Sequence, residues 1–233
     1  MIKRFFSLVY PNICLVCESS LDFEERSPFC KVCEEEIKFL KGERICMVCG
    51  RPVESGICYE CSRGRRYLDF SRSVALYEGK WREIIHLYKY HGFYSLFSYL
   101  GEKLLETYHY YAELGEADFV LPVPIHFVDR LRRGFHHTYL LARYLSKRTG
   151  KSLLPRILYK SRRTPSQTQL GWEERKRNVK GAYRAKNHPV IKGKNFLILD
   201  DVFTTGATLN ECAKALKKAG AGKVYALTLA RGE

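Results

Sequence analysis

Through the second half of the chain, short unbroken apolar runs alternate with stretches in which apolar residues recur at helical spacing. Residues 196–199 form such a run, the pattern of a parallel strand buried on both faces. Behind them Leu209, Cys212, Ala213 and Leu216 repeat at helical spacing, and Gly220 supplies a stop. Residues 138–149 read as a helix with Leu141, Tyr144 and Leu145 inward and Gly150 at its end. Residues 117–124 read as a strand whose finish is marked by Pro122 and Pro124, which cannot donate to a ladder. Upstream, residues 73–79 read as a strand ending in a turn, and residues 81–90 and 96–114 as helices. The second carries a stripe of Leu96, Leu100, Leu104, Tyr108 and Tyr111, and aromatics at that spacing are core-forming more often than base-stacking. Residues 89–92 break the period and are placed as a loop near a ligand. Residues 160–171 are polar, basic and without period, a loop of lid length. Residues 173–177 read as a helical turn and 179–183 as a return strand. Strand and helix in alternation predict an α/β domain, a mostly parallel sheet with helices on both faces.

The first 66 residues follow neither period. Eight of the nine cysteines form four C-x-x-C pairs there: Cys14/Cys17, Cys30/Cys33, Cys46/Cys49 and Cys58/Cys61. Each pair sets two thiolates on one tight knuckle, and two knuckles close a tetrahedral zinc site. Two four-cysteine zinc ribbons are therefore expected, with consecutive knuckles the simplest pairing and interleaving left open. An iron–sulfur cluster would take the same ligands. Sites with four sulfur ligands have no open position and are structural, and so short a module could hardly fold without them. The ninth, Cys212, lies on an apolar helix face and is read as core filling. The chain thus divides into residues 1–66, a double ribbon, and 67–233, with a hood over 67–115 and a core over 116–233.

Hydrophobic residues at 45% and charged ones at 28% describe a soluble, globular chain, and no apolar run approaches a membrane span. The opening segment imitates a signal peptide until Pro11, Asn12 and Cys14 end it, so a cytoplasmic location without membrane insertion is expected. The formal charge of +15 is unevenly placed. Residues 1–61 hold 8 Lys and Arg against 10 Asp and Glu, whereas residues 126–186 hold 17 against 3. A net of +14 in a quarter of the chain attracts polyanions, either nucleic acid or a polyphosphate. Zinc thiolates would make the head more acidic still, which favours a protein contact there. The basic residues Arg175, Lys176 and Arg177 are the candidates for contact with single-stranded DNA.

The chemistry concentrates where the strand at 196–199 ends. Asp200 and Asp201, then Thr204, Thr205, Gly206 and Thr208, run directly into a helix N-terminus. Adjacent carboxylates repel and call for a hydroxyl-rich ligand or a cation. Backbone N–H groups at the helix start cradle a phosphate, and the helix dipole favours its charge. No Walker loop and no G-x-G-x-x-G is present. After the strand at 117–124 come Arg130, Arg132, Arg133 and Gly134, arginine forks beside a residue that lets backbone approach phosphate oxygens.

Residues 200–208 resemble the phosphoribosyl-pyrophosphate (PRPP) motif of type I phosphoribosyltransferases. By that resemblance Asp200 and Asp201 hold the ribose hydroxyls and act in catalysis. Val202, Phe203, Thr204, Thr205, Gly206, Ala207 and Thr208 complete the PRPP-binding set, with residues 204–208 holding the 5-phosphate and Mg²⁺ bridging hydroxyls and pyrophosphate. Pro124, Arg130 and Arg133 would cradle the pyrophosphate, and Arg163, on the closing loop, would act in catalysis. Taken with the cysteine head, Leu87-Tyr-Lys-Tyr-His-Gly92, Arg132-Arg-Gly-Phe135, Arg163-Thr-Pro-Ser-Gln167 and Arg175-Lys-Arg-Asn-Val179, the whole chain resembles the competence protein F (ComF) family. That resemblance implies PRPP binding and a part in the uptake of transforming DNA, with the zinc module contacting a competence helicase or another uptake protein. The alternative is an active transferase that moves the ribosyl phosphate to a nitrogen acceptor without a DNA role. One departure stands out: His136 and His137 follow Arg-Gly-Phe where the family often has Asn-Gln.

Overall fold

A computed structural model of the chain describes residues 12–22, 27–42, 44–64, 66–91, 93, 96–126, 128, 136–165 and 171–232. Five parallel strands form the main sheet: β1 (Phe70–Leu76), β2 (Phe119–Pro122), β3 (Ser152–Leu153), β6 (Phe196–Phe203) and β7 (Val224–Arg231). Their spatial order is β1-β7-β6-β2-β3. A separate antiparallel ribbon joins β4 (Leu158–Lys160) to β5 (Tyr183–Ala185). The central strands β6 and β7 are apolar on both faces, as a sheet covered from two sides requires.

One face carries α3 (Gly79–Tyr90), α4 (Leu96–Tyr110) and α5 (His137–Thr149). Trp81, Ile84, Leu100, Leu104, Leu141 and Leu145 pack there against Leu197, Leu199, Tyr225 and Leu227. The other face carries α7 (Ala207–Lys218), whose Leu209, Cys212, Ala213 and Leu216 meet Phe196, Ile198, Val224 and Ala226. Cys212 is fully buried among them. Gly101 lets α4 and α5 close up: a Cβ there would lie 2.5 Å from the Tyr144 ring.

Several boundaries differ from the sequence reading. The helix expected over residues 96–114 ends at Tyr110 and gives way to a 3₁₀ turn, Ala112–Glu116. The turn expected over residues 173–177 is a full helix, α6 (Trp172–Val179), so the return strand begins later, at Tyr183. The helix expected over residues 81–90 is α3 and does run to Tyr90, so residues 89 and 90 of the expected ligand loop are helical. The segment assigned to a hood contributes β1 to the main sheet through its parallel pairing with β7. It is therefore built into the core.

The cysteine head lies against the exposed edge of β1. Leu40 N–H donates to the Val74 carbonyl at 2.9 Å, Leu76 N–H donates to Lys38 at 3.0 Å, and Ser71 N–H donates to Val48 at 2.7 Å. Among its described residues are two short helices, α1 (Lys31–Glu35) and α2 (Tyr59–Arg63). The first knuckles bury Cys14 and Cys33 with the α3–α4 face, and the later ones bury Cys46, Cys49 and Cys58 with the α7 face. The head thus straddles the sheet edge. Among the described residues no helix is long and apolar enough to cross a membrane.

Candidate functional site

Strand β6 does not stop at Leu199; it pairs with β7 through Phe203, so both aspartates lie within it. Consecutive strand residues point to opposite faces. Asp200 is half-buried on the α7 side, and Asp201 is buried on the side of α3 and α5. Strand alternation thus sets the two carboxylates on opposite faces of the sheet.

Below Asp200 the chain turns into α7. Gly206 occupies the left-handed region at φ +73°, and a Cβ there would lie 2.4 Å from the Phe203 ring. Only glycine fits that turn without strain. Thr205 Oγ1 accepts from Ala207 N–H at 3.2 Å and steadies the first turn. The result is a shallow, open concavity lined by Asp200 and residues 202–209. It sits at the positive end of a helix dipole, with hydroxyls and N–H groups around it. One carboxylate remains beside it to accept from hydroxyls or to hold a cation.

On the opposite face Asp201 is fully engaged. Lys89 Nζ on α3 and His137 Nε2 on α5 both lie 2.7 Å from its Oδ2. Burial alone would raise this carboxyl, but the Lys89 ammonium and the His137 hydrogen bond overcome it and hold the group well below the usual carboxylate range. Tyr88 OH donates to the His137 carbonyl at 2.8 Å and steadies the same corner. Sequence reasoning missed Lys89 and His137 as partners of the acidic strand. The signals were present in the broken period at 89–92 and in the two histidines. His136 acts separately, since its Nδ1 accepts from Tyr139 N–H at 3.2 Å and caps α5.

Other expected site residues are spread around this centre. Pro124 is buried just beyond β2, where the Thr138 hydroxyl donates to the neighbouring Val123 carbonyl. Arg130 and Arg133 lie outside the described residues, as do residues 166–170 of the expected lid. Arg163 is exposed on the described base of that loop. Arg162 donates to the Asn178 and Lys180 carbonyls and ties the base to α6. On α6 Arg175 is half-buried and Arg177 exposed, and the Lys176 side chain lies outside what is described.

The eight head cysteines gather into two sets, Cys14/Cys17/Cys30/Cys33 and Cys46/Cys49/Cys58/Cys61, with all sulfurs of a set within 4.8 Å of one another. Consecutive knuckles pair, and none of the cysteines is in a disulfide. A tetrahedral zinc with Zn–S bonds of about 2.3 Å needs sulfurs about 3.8 Å apart. Cys17 to Cys30 and Cys49 to Cys58 are each 3.6 Å apart. Burial would raise the Cys46 thiol, yet N–H groups of Cys49, Cys58 and Val48 turned toward its sulfur bring it down to about 6. Backbone arranged to favour a thiolate fits a metal ligand. The residues present fit two structural zinc ions.

Two family models match the chain, a double zinc ribbon domain over residues 5–62 and a phosphoribosyl transferase domain over residues 124–233. Competence protein F of Haemophilus influenzae is 33% identical over 113 residues, covering 48% of this chain and 49% of that protein. Competence protein ComFC of Bacillus subtilis is 27% identical over 197 residues, covering 78% of this chain and 75% of that protein. A solved glutamine PRPP amidotransferase from B. subtilis superposes with a TM-score of 0.42 at 22% identity, over 62% of this chain and 30% of that one. The chain spans about half the length of the first of these relatives.

Proposed function

Since this chain belongs to the ComF family, we propose that it binds PRPP at the β6–α7 turn and serves in the handling of incoming DNA. The observation that carries the reading is the turn itself, a glycine-locked loop at a helix N-terminus with Asp200 standing over the concavity. The 5-phosphate would rest on residues 204–208, and Asp200 would take the ribose hydroxyls, with Mg²⁺ neutralising the crowd of negative charge. Asp201 would serve from behind, as the anchor that Lys89 and His137 hold. Relatives named for competence and DNA utilization support the DNA role, and the basic block over 126–186 supplies a polyanion surface.

Calorimetry with PRPP and Mg²⁺ tests the site. Asp200→Asn keeps the shape and removes the charge, and should weaken binding about ten- to a hundredfold, the range for one charge-assisted hydrogen bond. Unchanged affinity would refute the assignment. Pyrophosphate release in the presence of nucleobases decides between a binding protein and an active transferase. For DNA, oligonucleotide affinity should fall steeply with salt, by about 0.7 in log–log slope per phosphate neutralised on a single strand. Changing Arg175, Lys176 and Arg177 together to Ala should flatten that slope. An unaltered slope places the DNA surface elsewhere.

A further inference from the structure

The stripe of Leu96, Leu100, Leu104, Tyr108 and Tyr111 is buried throughout and belongs to the core. Other rings of the same region are not. Phe93 and Phe97 are each 36% exposed. Leu96 N–H donates to the Phe93 carbonyl at 3.1 Å, so the chain is already turning into α4 at Phe93, one turn before Phe97. Phe97 in turn meets the Tyr144 ring of α5 edge to face, with centroids 6.2 Å apart. The Arg148 guanidinium lies 6.0 Å from the centre of the Tyr144 ring and donates to Glu102 Oε1 at 3.0 Å. A single exposed phenylalanine is ordinary. Three rings in sequence that end on a guanidinium form a patch suited to an occupant.

Helix α5 supplies the charge. It carries Arg143, Lys147 and Arg148 and no Asp or Glu. Arg143 and Lys147 are exposed, one turn apart on either side of Tyr144 in the chain, and among the described residues neither has an ion-pair partner. The helix dipole accounts for cations in the last turn, but not for Arg143 in the middle of the helix. Rings interleaved with cations on one helix pair match a single nucleic-acid strand, whose bases stack on the rings while its phosphates take the cations. A duplex keeps its base faces stacked on one another and would use only the cations. An apolar protein partner would use only the rings and leave Arg143 and Lys147 without a counter-charge.

We propose that the α4–α5 face binds single-stranded nucleic acid, with Phe93, Phe97 and Tyr144 stacking bases and Arg143 and Lys147 holding phosphates. This rests on the DNA reading above and gives it a surface apart from α6, one that reads the presence of unpaired bases as well as charge.

Fluorescence anisotropy of the full chain with oligothymidylate, and with an abasic strand of equal length, tests it across a salt series, with melting temperature as the check on folding. Wild type should bind oligothymidylate more tightly than the abasic strand. Phe97→Ala should weaken oligothymidylate about five- to a hundredfold, the range for one lost stacking contact. It should leave the salt slope and the abasic affinity unchanged, and Phe97→Tyr should bind as wild type does. Arg143→Gln with Lys147→Gln should instead flatten the log–log slope by about 1.4 for both strands, two phosphates at about 0.7 each. Should Phe97→Ala lower the melting temperature, the glutamine pair and the abasic comparison still judge the surface. Equal wild-type affinity for the two strands, or an unaltered slope in the glutamine pair, overturns the proposal. So does a Phe97→Ala protein that keeps its DNA affinity but loses self-association in sedimentation, which would give the rings to a second copy of the chain. A wild type that ignores both strands at low salt refutes the DNA reading itself, whereas binding that all these variants leave intact refutes this surface alone.

Discussion

Asp201 is held by two side chains that lie far from it in the chain. Its carboxylate is shared by Lys89 and His137, with only 12% of its side chain exposed. Removing one partner of a buried ion pair leaves the other charge uncompensated, at a cost of about 3–5 kcal/mol. Asp201→Asn should therefore destabilise the protein at neutral pH by an amount near the lower end of that range, measured by urea unfolding. The pH dependence has a definite sign. A carboxyl held low in the folded state contributes stability above its unfolded pKa of about 3.9, and that contribution is lost as pH falls toward the folded value. The gap between wild type and Asp201→Asn should narrow below about pH 4. A gap that stays constant to pH 3 would mean that the ion pair is not what stabilises this corner. Gly206 is the other decisive residue. Gly206→Ala meets both the left-handed backbone penalty of about 1–2 kcal/mol and the Phe203 ring. It should lower the melting temperature and abolish PRPP binding. Adding Phe203→Leu should recover part of the stability, since it relieves the collision but not the backbone strain.

Among elements, the α4–α5 contact was legible only in part. The sequence places Leu141, Leu145 and Tyr144 on one helical stripe, but Tyr144 is only partly buried. Its ring lies along α4 because Gly101 leaves room, a complementarity between positions far apart in the chain. Gly101→Ala should push the helices apart and cost about 1–3 kcal/mol, the usual range for overpacking, with recovery when Tyr144 is made Ala. Denaturant midpoints check it; an unchanged midpoint for the single variant would show that the ring moves freely. At the β6–α7 junction the helix pattern and the Gly-containing turn were readable. What the pattern could not show was that β6 runs on to Phe203. Polar residues in a strand near its C-terminal end look like a loop until the neighbouring strand is seen to pair with them.

At the scale of the whole molecule, the cysteine head closes the sheet. Strand β1 has β7 on one side, and on the other the 38–40 segment and the Val48 carbonyl take up its free backbone groups. Unpaired edges seed association between chains. A chain of residues 67–233 alone should therefore self-associate or aggregate, as sedimentation would show. A folded, monomeric 67–233 would mean that the head is an independent unit.

Much of this was decided by sequence alone, because it depends on local chemistry. Thiol pairs at C-x-x-C spacing dictate two metal knuckle sets, since the knuckle is built within four residues. The apolar run before Asp200 and the helical spacing after Gly206 dictate a strand, a tight turn and a helix N-terminus in that order. The partners of those local units were decided only in three dimensions. Lys89 and His137 lie far along the chain from Asp201; the broken period at 89–92 and the paired histidines mark them as unusual, but local spacing does not say which residue they hold. They meet because the fold sets α3 and α5 over one face of the sheet. A charge buried at such a meeting point has no alternative partner in solvent, so tertiary packing, rather than sequence spacing, fixes what each acid does.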